Sequence, residues 1–307
     1  MRLVFSRNWL IAASCAILAV TTASACSNSG GAVPGGQGAS QLIDKSPVAT
    51  DEEIAASPTA AAIKRRGQLV IGSTKENPLL SQQNPITGLT EGFDADLGRM
   101  LAKYIIGQPN TTIINATPTT RETLLQNETV DTVLYTYSIT PARAEKIGFA
   151  GPYFVSGPAI ATLKTTNGIT KPADLKGKKV LAAANTTGAN VLKQVQPDAE
   201  LITFPTSQEC IQALEQGRAE AYVNDLTILA SNAVLNTKLK VIGTPFGKDP
   251  YGIGIKHGDT AFKKFVNDWL KKIQASGLWQ QAYQETLGTK IEGPAPAPPE
   301  IGSVPGS

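Results

Sequence analysis

The chain has 307 residues, a net charge of +3, 41% hydrophobic and 17% charged residues, a balance that is globular and long enough for two domains. Its Lys and Arg are spread along the chain and its aromatic content is low, so no basic groove for nucleic acid is expected. Three cysteines and one histidine, His257, make no standard zinc or iron–sulfur ligand set, and no metal or cofactor is expected.

Arg2 and Arg7 precede an apolar run from Trp9 to Val20 and then small residues, the layout of an export signal over residues 1–25. The run is short for a membrane span. Ala23-Ser24-Ala25-Cys26 resembles a bacterial lipoprotein cleavage site, with Ala23 where Leu is usual, and makes Cys26 the expected lipidated first residue. The other reading is plain secretion with Cys26 unmodified. Cys15 is the poorer choice because the apolar run continues past it. From Ser27 to about Thr50 the chain is mostly Gly, Ser, Pro and Ala, so residues 26–56 read as a flexible tether.

Ser57 and Pro58 form an N-cap and first helical residue, with helix to Arg66 and a stop at Gly67. Beyond it strands and helices alternate. Strand 68–73 leads to a helix whose apolar face is Phe93, Leu97, Met100, Leu101, Tyr104 and Ile105; strand 112–116 and helix 121–126 follow. Strand 159–164 opens a second set: strands 179–184, 201–204, 219–224 and 239–242, interleaved with helices 189–195, 209–216 and 226–235. Strand 251–256 and helices 261–275 and 279–287 complete it, before a Pro-rich tail over 291–307 expected to be extended and unpacked. The alternation predicts two parallel-sheet α/β units.

The segment from Asp131 to Phe154 has the clearest chemistry. Val130 to Tyr135 reads as a buried strand running into Thr136, Ser138 and Thr140, with Thr140 as N-cap and Pro141 as the first helical residue beside Arg143. Helix-start N–H groups and a planar two-pronged donor suit a small carboxylate rather than bond breaking. A solvated helix arginine is the plainer alternative.

Taken together, GFDADL at 92–97, TYSITPAR at 136–143, IGFAGPYF at 147–154, NTTG at 185–188 and GRAEAYVND at 217–225 resemble the amino-acid-binding proteins of ABC importers, in the glutamine- and glutamate-binding lipoprotein branch. The resemblance covers about residues 66–288. It implies a two-lobed α/β fold of the periplasmic-binding-protein-like II class, with two crossing hinge strands and the ligand in the cleft. Lobe 1 would span 57–158 and return over 250–290, and lobe 2 would span 159–249.

Residue by residue, the resemblance makes Arg143 the holder of the ligand α-carboxylate, Ser138 and Thr136 the strand-end groups for its α-ammonium and carboxylate, and Asp225 the acidic partner of the ammonium. An ordinary loop-cap role for Asp225 is the alternative. Thr186, Thr187 and Gly188 stand at a strand-to-helix junction that would make an anion nest reaching across from lobe 2. Arg121 matches a helix-start arginine that meets the distal carboxylate of acidic ligands, and Lys75 would assist it. The first loop, 73–83, has no aromatic clamp for a glutamine or cationic side chain, but Gln83 stands where glutamate binders often carry a basic residue, so glutamine or asparagine stays open. Asn185 departs from the usual Gly, and Leu181 replaces the cysteine that would pair with Cys210, which is then a buried free thiol or, failing that, part of an intermolecular disulfide.

The expected function is capture of an amino acid, with glutamate or aspartate first, and delivery to an ABC permease by a monomer held at the cell membrane by its lipid. An amino-acid sensor for a membrane receptor is the second reading. A dehydratase on the same scaffold is the third; it would need an acid or base in the cleft, where His257, read as a surface-turn residue before Gly258, is not expected.

Overall fold

The structure is a computed structural model in which residues 38–307 are described. The export signal over 1–25, Cys26 and the first part of the tether lie outside them. The remainder of the tether is helical, which corrects the expectation of a flexible segment to residue 56: α1 spans Gly38–Lys45 and α2 spans Asp51–Ala55. Leu42, Ile43, Ala49 and Ile54 are buried in the main core, and Lys103 Nζ donates to Ile43 O and Asp44 O at the end of α1. Two apolar residues in an otherwise polar stretch give too weak a period to announce a helix. A sequence signal for α2 does exist: Thr50 and Glu53 form a capping box. The folded chain continues with α3 (Pro58–Arg66), capped by the Ser57 hydroxyl and ended by left-handed Gly67.

Lobe 1 is built from β1 (Leu69–Ser73), a small antiparallel sheet of β2 (Glu76–Asn77), β3 (Ser81–Gln83) and β4 (Thr90–Glu91), then α4 (Phe93–Ile106), β5 (Thr111–Asn115), α5 (Arg121–Gln126), β6 (Thr132–Val133), α6 (Pro141–Ala144) and β7 (Gly148–Ser156). Gly92 joins the small sheet to α4 at φ +119°, where a Cβ would fall 2.6 Å from the Leu80 backbone, so only glycine fits. Lobe 2 holds β8 (Pro158–Leu163), β9 (Lys179–Ala183), α7 (Thr187–Val195), β10 (Glu200–Phe204), α8 (Ser207–Glu215), β11 (Ala221–Asp225), α9 (Leu226–Leu235) and β12 (Leu239–Ile242). The chain then returns to lobe 1 as β13 (Asp249–Ile255), α10 (Thr260–Ala275) and α11 (Leu278–Glu285).

Each lobe has a five-stranded sheet, in the order β5-β1-β6-β13-β7 and β10-β9-β11-β8-β12. Four strands in each sheet share one direction and one strand, β13 in lobe 1 and β8 in lobe 2, runs against them, which corrects the all-parallel expectation. Strand β7 is not among the strands expected from the sequence, and its Gly151-Pro152 would be out of place in a central strand. It is an edge strand, and the register opposite it shifts between Tyr251 and Ile253. The strand expected over 130–135 pairs only at Thr132 and Val133.

The chain crosses between lobes at Gly157 and again between β12 and β13. Lobe 1 braces both crossings with an aromatic cluster, in which Phe93, Phe154, Trp279 and Tyr283 have ring centroids 5.6–6.4 Å apart. Trp279 Nε1 donates to Tyr153 O at 2.7 Å, tying α11 to β7.

The Pro-rich tail has bends and turns but no helix or strand, and it packs, contrary to expectation. Ile291, Ala295 and Ile301 lie against the main core, Val304 lies against the core beside Tyr137, and Gly302 N–H donates to Gly151 O. Proline fixes φ in advance, so ordering this segment costs little entropy and a few half-buried contacts suffice. Ile301→Ala is expected to lose about 1 kcal/mol of stability, read as a fall of roughly 2–4 °C in melting temperature. An unchanged melting temperature would mean the tail contacts contribute nothing.

Candidate ligand-binding site

The strand-end residues converge where the lobes meet. A small cavity there is lined by Pro118, Arg121, Tyr135, Thr136 and Ser138 from lobe 1, and by Ala183, Thr186, Thr187, Ser207, Asn224, Asp225 and Ile228 from lobe 2. Its volume is about 20 Å³, room for about one water molecule, so the lobes must part to admit anything larger.

Six of the nine ligand-binding candidates read from the sequence line this cavity: Arg121, Thr136, Ser138, Thr186, Thr187 and Asp225. Arg143 stands just behind it, its Nη1 donating to Ser138 O and its Nη2 to Asn185 O, both at 2.8 Å, so one guanidinium already spans the two lobes. The first-turn N–H of Arg143 is taken by the Thr140 hydroxyl, which makes the side chain the available donor. Gly188 does not line the cavity; it packs α7 against β11, where a Cβ would meet Asn224 Cα at 3.4 Å. Lys75 is not brought to the cavity. It lines a separate surface cleft with Gln83, Thr90 and Arg99, because β2 and β3 turn the first loop away.

Backbone strain collects at this site. Thr136 has φ +40° and Asn185 φ +59°, both in the left-handed region that costs non-glycine residues of order 1–3 kcal/mol. Asn tolerates that region, which explains how Asn185 stands where Gly is usual. Its Nδ2 also donates to Pro118 O at 2.7 Å across the lobe boundary. Thr136 is held by Asp94, whose buried carboxylate accepts the Thr136 N–H at 3.0 Å and the Tyr153 hydroxyl at 2.9 Å. Burial pushes the Asp94 carboxyl up to about 6 despite these bonds. With its N–H occupied, Thr136 offers the cavity its carbonyl and hydroxyl.

Arg121 is only 3% exposed. Its guanidinium lies 3.9 Å from the Tyr137 ring centroid and donates to Tyr135 O at 3.0 Å, while Nε has no partner among the described residues. Burial and the nearby Arg143 lower its pKa to about 10, so it stays charged at neutral pH. In lobe 2, Thr186 caps α7 through its hydroxyl, and Thr187 Oγ1 donates to Asp249 Oδ2 at 2.6 Å. Ser207 accepts hydrogen bonds from Tyr222 and Asn232. Sequence reading missed Ser207, Asn224, Ile228 and Asp249 as neighbours of the site. Ser207 follows an evident N-cap at Thr206, and Asp249 precedes a strand, but neither position by itself points to a cleft.

Cys210 is free and buried, and burial pushes its thiol up to about 12, as expected for an inert core cysteine. His257 is exposed in a turn before Gly258, on the far side of β13 from the crossing.

Comparison with known proteins agrees with this architecture. A glutamine-binding ABC transporter protein of Bacillus subtilis is 32% identical over 231 residues, covering 75% of this chain and 84% of that protein. A glutamate-binding protein of Corynebacterium efficiens is 32% identical over 240 residues, covering 74% and 81%. The crystal structure of a cysteine-binding protein from Campylobacter jejuni superposes with a TM-score of 0.71 at 27% identity, covering 78% of this chain and 96% of that one. These relatives bear the names of binding proteins, and the fold they share is the two-lobed periplasmic-binding-protein-like II fold. The profile of the bacterial extracellular solute-binding proteins, family 3, matches residues 69–289, which span both lobes and every cavity-lining residue, and the chain belongs to that family.

Proposed function

We propose that this chain is an extracytoplasmic binding lipoprotein that captures an acidic amino acid, glutamate or aspartate, between its lobes and delivers it to the permease of an ABC importer. The observation that carries the acidic specificity is Arg121, a buried cation with an unpartnered Nε and no carboxylate among its hydrogen-bond partners. Keeping such a charge out of water is costly unless an anion arrives to compensate it. Arg143 takes the α-carboxylate, Thr187 and Ser138 add hydroxyl contacts, and Asp225 takes the ammonium. Binding sites on both lobes make ligand contact complete only when they close. The role is non-enzymatic: the cavity-lining side chains serve as donors and acceptors for a zwitterion.

Glutamine is the second reading, favoured by Asn224 and Ser207 beside the cavity and by the name of the Bacillus subtilis relative. Calorimetry against the common amino acids tests both. Glutamate and aspartate are expected to bind tightest; glutamine binding with no response to glutamate would overturn the acidic assignment, and silence toward all of them would overturn amino-acid capture. A sensor role uses the same capture step and is separated by genetics: an adjacent receptor gene favours sensing, whereas adjacent permease and ATPase genes favour import.

The anchor is proposed at Cys26. The described residues begin at Gly38, and the chain from Cys26 to that point can reach at most about 40 Å, a short leash that holds the lobes near the membrane. Wild type is expected in the membrane fraction, with Cys26→Ser released or left as unprocessed precursor. Lipid labelling that persists in Cys26→Ser would end this assignment.

A further inference from the structure

Two buried carboxylates meet at the crossing between the lobes. Asp225 ends β11 opposite Pro158, and Asp249 opens β13 opposite Ser156, so they flank Gly157. The crossing is tight: a Cβ on Gly157 would fall 2.1 Å from Gly247 O. Each aspartate is 5% exposed. Asp249 accepts its bond from Thr187, whereas Asp225, which lines the cavity, has its Oδ1 buried with no hydrogen-bond partner among the described residues. The charged and titratable groups facing the pair are Tyr251 from β13, Arg121 from α5 and Arg143 from α6. Both arginines spend their hydrogen bonds on carbonyl oxygens instead. Among the described residues no cation donates a hydrogen bond to either carboxylate, and the arginines act on the pair only through space.

Two adjoining carboxylates have no donor between them unless one carries a proton. Burial, and then the neighbouring Asp249, push the Asp225 carboxyl well above the usual carboxylate range, the direction that favours a proton shared between the two side chains. The geometry points to Asp249 as a further ligand-binding residue that, together with Asp225, accepts the ligand ammonium in exchange for that proton. This deepens the amino-acid reading above and rests on it. The ammonium brings one positive charge and three donors, which allows both carboxylates to ionise, and the displaced proton passes to the solvent buffer. Asp249 belongs to lobe 1 and Asp225 to lobe 2, so an ammonium held by both also closes the cleft.

Linkage fixes the sign of the effect. Release of one proton on binding makes affinity rise with pH, about tenfold per unit where the free pair is protonated. The test is calorimetry of the full chain with glutamate and with glutamine, between pH 6 and 8, in buffers of different ionisation enthalpy. In wild type the apparent enthalpy should change with buffer by the amount for about one proton released per ligand, equally for both ligands because the ammonium is common to them. Asp249→Asn, which keeps the shape but removes one carboxylate, should bind more weakly with affinity that changes less with pH, because burial alone still raises Asp225. Tight wild-type binding with buffer-independent enthalpy overturns the proposal while leaving amino-acid capture intact, and so does undiminished release in Asp249→Asn. If circular dichroism finds that variant unfolded, the wild-type buffer series decides alone. Failure of both amino acids to bind at every pH removes the underlying reading and this inference with it.

Discussion

Replacing Arg143 with alanine is expected to abolish measurable binding of every amino acid, whatever its side chain. The guanidinium is buried against Tyr137, 5.2 Å from the ring centroid, and joins Ser138 O of lobe 1 to Asn185 O of lobe 2. A ligand carboxylate entering the opened cleft would replace a neutral carbonyl acceptor with a charged one, a stronger partner for the same donors. Its loss removes that charged contact and leaves two carbonyls unpaired. Truncating one member of a buried, hydrogen-bonded charge pair costs about 2–5 kcal/mol, which is roughly 30-fold to several thousand-fold in affinity. Arg143→Lys should fall between wild type and alanine, because an ammonium keeps the charge but not the planar fork. Calorimetry with glutamate, glutamine and alanine as ligands, on variants shown by melting to be folded, makes the comparison. Affinities within twofold of wild type would show that the α-carboxylate is held elsewhere.

Arg121 is expected to behave differently, separating ligands by side chain. Arg121→Met should reduce glutamate affinity by about 2–5 kcal/mol and glutamine affinity by much less, because only glutamate presents a second carboxylate to the guanidinium. Methionine preserves the packing over Tyr137 while deleting the charge. The same substitution should raise the melting temperature of the ligand-free protein, since replacing an uncompensated buried charge with an apolar side chain removes a desolvation penalty. Opposite signs for stability and glutamate affinity are the signature of a residue kept for its ligand. Equal losses for glutamate and glutamine would sink the specificity role, and a lower melting temperature would mean the Tyr135 carbonyl and the ring faces already compensate the charge.

By itself, the sequence determined the periodic elements and the site residues attached to them. The Ser57-Pro58 start of α3, the apolar face of α4, the Thr140-Pro141 start of α6 and the whole of α9 were legible, because caps and helical periodicity are local properties of a few neighbouring residues. Placing Arg121, Thr136, Ser138, Thr186, Thr187 and Asp225 around one cleft needed the resemblance of ordered motifs, since their spacing along the chain contains no distance between them. Tertiary structure alone decided the remainder. The polar stretch of α1 becomes helix because Leu42 and Ile43 find a core formed by α4 and α11, and the proline tail packs because that same surface is within reach. Lys75 leaves the site because the small sheet turns its loop outward, and β7 forms despite Gly151-Pro152 because an edge strand leaves unused donors on one side. Asp249 meets Asp225 only because two strands distant in sequence cross at Gly157, where backbone contact leaves no space for a side chain. Long-range pairing of this kind is settled by what each segment buries against, and that information belongs to the folded chain.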